Sequence, residues 1–393
     1  MKNTTVALIF ILFAAANAAA ETTIHWWGST SFRQRNEATK EYTPSYSSSG
    51  AGILLHTEEN NTTKIGYQFG LKTDVRENIT LGLTLRSGLS GNAQVMIQDI
   101  HNKDGLLPSI QEAYIDWRTP YAKIELGKIP QQGNALWDVY AATLYWSSAD
   151  PRQNDPTDGF FNDRLAALNG VRLSRPIGPV TLRGLYHTDY VGGYFRQFED
   201  SAKTFKRAPD RYNVMIGATM DIEIIDGVGV GIWNSTLNTL TLDFDYGFPH
   251  RAAMAGTNPD SVTADESIWG ATLKVSNDLS MAQIGYAFNW RDSVFTINFL
   301  DVIAQVNIGN IARLAEKNWG DFALTFRYQN GAEEMEFIPY KGDAAVRKAI
   351  HLYLNKSLWG LDVQPRVIWF STEIEGFKQR TQARYEVTTT VRF

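Results

Sequence analysis

The chain ends Tyr385-Glu386-Val387-Thr388-Thr389-Thr390-Val391-Arg392-Phe393. Counting back by twos from Phe393 gives Val391, Thr389, Val387 and Tyr385. Between them stand Arg392, Thr390, Thr388 and Glu386. A period of two is the side-chain period of a β-strand, so one face here suits hydrocarbon or a core and the other is polar throughout. An aromatic closes each end of the apolar face, at the spacing where the two edges of a bilayer would meet a tilted strand. An edge strand of a soluble sheet shows the same alternation, and the remainder of the chain has to separate the two.

The other terminus has a charged start (Lys2), an apolar run from Val6 to Ala16, and Asn17-Ala18-Ala19-Ala20. This reads as a secretory signal over 1–20, cut after Ala20. It is too short for a spanning helix. The mature chain, 21–393, then reads as a single domain. Loss of Lys2 takes the formal net charge from −5 to −6. A mildly acidic chain is no general nucleic-acid binder. There are 0 Cys, which excludes a lipid-anchored N-terminus, a disulfide framework and thiolate metal sites. A secreted chain without a transmembrane helix is destined for the periplasm, the exterior or the outer membrane. Tyr and Trp, which favour membrane interfaces, number 17 and 11.

Strand-like runs begin almost at once. Sixteen are read, near 24–34, 63–74, 79–87, 110–118, 122–129, 165–175, 180–189, 211–222, 228–238, 267–276, 280–291, 296–308, 319–329, 347–357, 361–371 and 383–393. In one, Ile65, Tyr67, Phe69 and Leu71 oppose Lys64, Gly66, Gln68, Gly70 and Lys72. In another, Phe322, Leu324, Phe326 and Tyr328 oppose Asp321, Ala323, Thr325 and Arg327. The apolar face would pack a core in a soluble sandwich and meet lipid in a barrel.

The connections separate these two. Short ones carry turn chemistry at Arg76-Glu77-Asn78, Thr119-Pro120, 176–179, Asp226-Gly227, Asn277-Asp278 and Trp359-Gly360. They alternate with long ones near 35–62, 88–109, 130–164, 190–210, 239–266, 330–346 and 372–382. An up-and-down barrel with tight turns at one rim and long loops at the other requires that parity. It fails once: 292–295 is short and 309–318 is longer, with Ile311, Leu314 and Ala315 at helical spacing. Either a strand is misplaced there or one turn carries a small helix. Leu240, Leu242, Phe244 and Tyr246 form another alternating run inside a long loop, which would raise the count to eighteen.

On these residues the chain resembles a Gram-negative outer-membrane porin of the sixteen-strand class. The terminal strand, through Tyr385, Val387, Val391 and Phe393, resembles the signature that the barrel assembly machinery reads. The resemblance implies a transmembrane antiparallel β-barrel in the bacterial outer membrane, set in lipid and lipopolysaccharide, with a water-filled channel for ions and small hydrophilic solutes. It also implies a homotrimer, and a third outer loop folded inward to narrow the pore. The third long loop, 130–164, is the longest and takes that role. Its charged residues are Asp138, Asp150, Arg152, Asp155, Asp158, Asp163 and Arg164. Wall positions read as inward lean basic: Lys72, Arg86, Arg118, Arg172, Arg183, Arg291, Arg327 and Arg366 among them. An acidic loop facing a basic wall would set a field across the lumen. Asn162-Asp163-Arg164 leading into Asn169-Gly170-Val171-Arg172 is loosely similar to phosphate-selective porins. Loop aromatics such as Trp137, Tyr140 and Trp146 would suit sugars.

No catalytic or cofactor motif stands out. None of the six His has a second ligand at metal spacing. His187 with Asp189 and a serine would make a barrel hydrolase of lipase or protease type, but no Gly-x-Ser-x-Gly is present. The expectation is a non-enzymatic channel with no metal and no cofactor. A barrel enzyme, or a channel selective for anions, phosphate or sugar, is the alternative.

Overall fold

A computed structural model of the protein describes residues 24–43, 53–87, 108–130, 167–187, 198–199, 205–206, 213–225, 237–251, 264–291, 294–334, 344–374 and 377–393. The expected signal, 1–20, lies outside these residues, as do the loop residues 131–164.

Sixteen strands form one closed antiparallel ring among the described residues. They are β1 (Ile24–Thr43), β2 (Ile53–Arg76), β3 (Ile79–Ser87), β4 (Pro108–Arg118), β5 (Lys123–Pro130), β6 (Ala167–Ile177), β7 (Val180–His187) and β8 (Asn213–Ile225), then β9 (Leu237–Arg251), β10 (Ala264–Ser276), β11 (Ser280–Arg291), β12 (Val294–Asn307), β13 (Phe322–Glu334), β14 (Ala344–Leu358), β15 (Leu361–Ile374) and β16 (Phe377–Arg392). Each pairs with its neighbours in sequence, and β1 pairs with β16. Phe393 closes the seam: its N–H donates to the Gly28 carbonyl (2.9 Å) and its carbonyl accepts from the Gly28 N–H (2.7 Å). The Phe393 ring fills the space where a Cβ on Gly28 would fall.

The alternation in the last strand becomes two surfaces. Tyr385, Val387, Val391 and Phe393 are 53%, 43%, 41% and 64% exposed, whereas Glu386 is 4% exposed on the opposite face. In this closed ring the large apolar side chains are the exposed ones, while their polar neighbours Arg33, Glu125, Asp301 and His351 are buried, so the apolar face is the outer one. Ile115, Leu173, Leu182, Ile284, Phe326 and Leu352 lie exposed on it. Aromatics mark its lower rim at Trp26, Trp117 and Tyr121, and others stand further up at Tyr186, Tyr286 and Trp369.

Two expectations are corrected. The ninth strand is Leu237–Arg251, paired with β8 and β10, where the sequence reading had 228–238. The alternating run Leu240–Tyr246 is that strand and not an addition, so the ring has sixteen strands and not eighteen. Residues 226–236 lie outside the described residues. The long connections are also shorter than read. β1 continues to Thr43 and β2 starts at Ile53, so their connection is 44–52 and not 35–62. The connection read over 372–382 shrinks to 375–376. Within these extensions the stretches 57–62 and 378–382 are polar on both faces, and a reading based on apolar contrast stops where the contrast does.

The parity break resolves as a helix. Helix α1 (Ile308–Leu314) sits at the tight-turn rim between β12 and β13. The Asn307 side chain caps it by accepting from the Asn310 N–H at 3.0 Å. Gly309 lies so close to the Gly320 carbonyl that no Cβ fits. Asn310 Nδ2 donates to the Asp278 carbonyl (2.6 Å), tying α1 to the turn between β10 and β11.

Candidate functional site

Cross-strand partners share a sheet face, so the register carries the inner wall around the ring. On the β12–β16 and β1 side it is an arc of arginines and fewer carboxylates. Arg327 forks onto Asp301 through two bonds, 2.8 and 2.6 Å. Gln329 and His351 meet at 3.0 Å beside them. Arg384 binds Glu37 at 3.0 and 2.8 Å across the seam. Glu386 is shared: Arg35 Nε donates to it at 3.1 Å, Arg366 binds its other oxygen, and Arg33 lies 4.0 Å away. Ser31 and Thr390 join hydroxyls at 2.8 Å.

A second cluster lies on β4–β6. Glu125 accepts from Arg172 Nε (2.5 Å) and Nη2 (2.7 Å), and from Lys123 (3.2 Å). Lys123 also reaches Asp116 at 3.2 Å. Arg183 on β7 donates to Thr219 on β8 at 2.6 Å. Half-way round the ring from the seam, Asp243 and Asp245 of β9 hold register positions opposite Thr219 and Gly217.

Below the arginine arc, at the tight-turn end, a cavity of about 970 Å³ opens. Lys72, Glu112 and Tyr114 line it on one side, Asn355, Asp362 and Gln364 on the other. Its walls mix charges, amides, hydroxyls and aromatic rings.

No protein-family model matches the chain, and no curated protein matches it significantly. Solved structures do. OmpF of Salmonella typhi, solved with daunomycin, superposes with a TM-score of 0.54 over 94% of this chain and 97% of its own, at 12% identity. An anion-selective porin from Comamonas acidovorans gives a TM-score of 0.54 over 95% and 100%, at 9% identity. The barrel has the porin fold.

Within that porin fold the predicted wall residues separate. Arg172, Arg183, Arg327 and Arg366 sit in the mid-wall networks just described. Lys72 lines the lower cavity. Arg118 stands at the lower rim, 62% exposed, 3.9 Å from Asp116. Arg86 and Arg291 are placed by backbone register, opposite Gln68 and Glu266. The seven charged residues predicted for the constriction loop, from Asp138 to Arg164, lie outside the described residues. Among the described residues no group of three His, Cys, Asp or Glu could hold a metal ion. Sequence reasoning missed Arg33, Arg35, Glu37 and Asp301. Beyond Phe32, β1 is polar on both faces (Gln34 and Asn36 against Arg35 and Glu37), so nothing in its pattern marks the inner side. The pairing with β16 supplies that mark.

Proposed function

We propose that the chain forms a water-filled channel in the bacterial outer membrane for passive diffusion of ions and small hydrophilic solutes. One observation carries this: a closed ring whose outer face is apolar and whose inner face is charged and hydroxylated along its length. A soluble barrel would reverse the two faces, because polar side chains belong in water and apolar ones away from it. In this reading the third loop, 130–164, folds inward. Its acids Asp138, Asp150, Asp155, Asp158 and Asp163 then face the arginine arc, with Arg152 and Arg164 partly offsetting them. Solutes cross a transverse field, which favours polar molecules over apolar ones.

The test is single-channel recording of the refolded protein in a planar bilayer under a salt gradient. Stable ohmic steps are expected, and the sign of the reversal potential tells whether the arginine arc or the acidic loop sets ion preference. A correctly folded, inserted barrel that passes no current would overturn the channel reading in favour of a barrel enzyme.

A further inference from the structure

The lower cavity holds two aromatic side chains that the ion-pair networks leave unused. Trp27 of β1 pairs with Gly70 of β2, and its indole fills the space over that glycine where a Cβ would fall. Tyr114 of β4 pairs with Gly82 of β3, and its phenol fills the space over that one. Glycine in a strand interior weakens the strand and marks a place where another group must approach closely. Here two strands each give up a side chain, and in both cases an inward-facing ring occupies the vacancy. Gly70 stands opposite Thr84 and Gly82 opposite Lys72. The two glycines are therefore diagonal neighbours, about 7 Å apart, and each carries one of the rings. Trp27 is 41% exposed although it points into the barrel, so a solute in the lumen meets the ring. Lys72, Thr84 and Glu112 line the same cavity, and Thr84 donates to Glu112 at 2.7 Å.

We propose that Trp27 and Tyr114 form a saccharide-binding platform on the lower wall of the lumen, with room for two pyranose units. This rests on the channel reading above. A pyranose presents weakly positive C–H groups on its face and hydroxyls around its rim. The electron-rich face of an aromatic ring takes the C–H groups. Ammonium, hydroxyl and carboxylate at the edge supply donors and acceptors for the hydroxyls. A planar aromatic acid would also stack on the rings, but its carboxylate has no donor to offer Glu112, whereas a sugar's hydroxyls serve Lys72 and Glu112 alike.

The experiment adds maltose to the tight-turn side of the reconstituted channel and reads current as a fraction of each channel's own open level. Saturable, millimolar block is expected. Trp27→Ala and Tyr114→Ala should each raise the half-blocking concentration at least fivefold, and Trp27→Phe and Tyr114→Phe should hold it within twofold. Gly82→Ala, which displaces the phenol without removing it, should act as Tyr114→Ala does. If these variants do not fold, the wild-type channel still decides: sorbitol has the hydroxyls without the ring and should give no saturable block. An open channel that maltose does not block, or that sorbitol blocks equally, overturns the platform and leaves the channel. Block by benzoate and not by maltose overturns the saccharide class. A barrel that passes no current overturns the channel reading and the platform with it.

Discussion

Glu386 on the inner wall is shared among three arginines. Its side chain is 2% exposed, and it serves Arg35, Arg366 and, at 4.0 Å, Arg33. Removing one partner from a buried ion pair leaves the other charge uncompensated, which costs roughly 3 kcal/mol or more. Glu386→Gln should therefore lower barrel stability by about 3 kcal/mol, measured as an earlier midpoint in urea unfolding from detergent. It should also move the reversal potential toward anions, because the wall loses a negative charge. Lys123→Met is the contrast. Lys123 is 39% exposed, so losing its contacts with Glu125 and Asp116 should cost less than about 1 kcal/mol. An equal loss in both variants would mean that water screens Glu386 as well. Partnerships of this kind were not legible in the sequence. Arg35 and Glu386 are 351 positions apart and meet only because β1 and β16 close the ring in one register. What the sequence did show was parity: Arg172, Arg327 and Arg366 were read as inward from alternation alone, and the register puts each across from another inner-face residue.

β15 carries Pro365 in mid-strand, although proline normally keeps to sheet edges. The seam fixes which way it faces. Odd-numbered residues of β16 bond to β1, as Phe393 does to Gly28, so even-numbered ones bond to β15 and odd-numbered residues of β15 turn to β14. Pro365 has no N–H to give there, and the β14–β15 pairing skips from Tyr353–Arg366 to Lys356–Val363. On the inner face Gln364 Nε2 bridges the gap to Asn355 Oδ1 at 2.6 Å. A groove of about 460 Å³ runs beside it, lined by Leu354, Pro365, Val367 and Tyr385 among others. Pro365→Ala should restore one ladder bond and raise stability by about 1 kcal/mol, read as a higher temperature for loss of the compact band on a gel. A drop would show that the proline's fixed backbone matters more than the missing donor. Elements were readable wherever apolar and polar residues contrast. The upper halves of β1 and β2 were not, since hydrogen bonding carries them through stretches such as 57–62 whose two faces are equally polar. The helical spacing of Ile311, Leu314 and Ala315 did report α1.

At the scale of the whole molecule, Phe393 completes the β1–β16 seam with two backbone bonds and a ring laid over Gly28. Phe393→Ala keeps the backbone bonds and loses the packing. Cells expressing it should show a several-fold lower yield of compact, heat-modifiable barrel, while the purified variant should still refold in detergent. Equal yield in cells would remove the terminal aromatic from the list of assembly determinants. The fold class was legible from the alternation of the last strand and from loop parity, because a barrel of this kind repeats one rule sixteen times. The lumen's selectivity was not, because it depends on which inner charges meet. The seam has a further consequence in time. Its contacts join the start of the barrel to its end; Ser31 and Thr390 lie 359 positions apart. Contacts that distant in sequence carry the largest loop-closure cost and make folding slow. A chain emerging from its N-terminus cannot satisfy the free edge of β1 until its final residues arrive, and every earlier intermediate presents two unpaired edges open to aggregation. The protein therefore needs protection along its whole route to the membrane, and the last strand to appear is the one that ends the need.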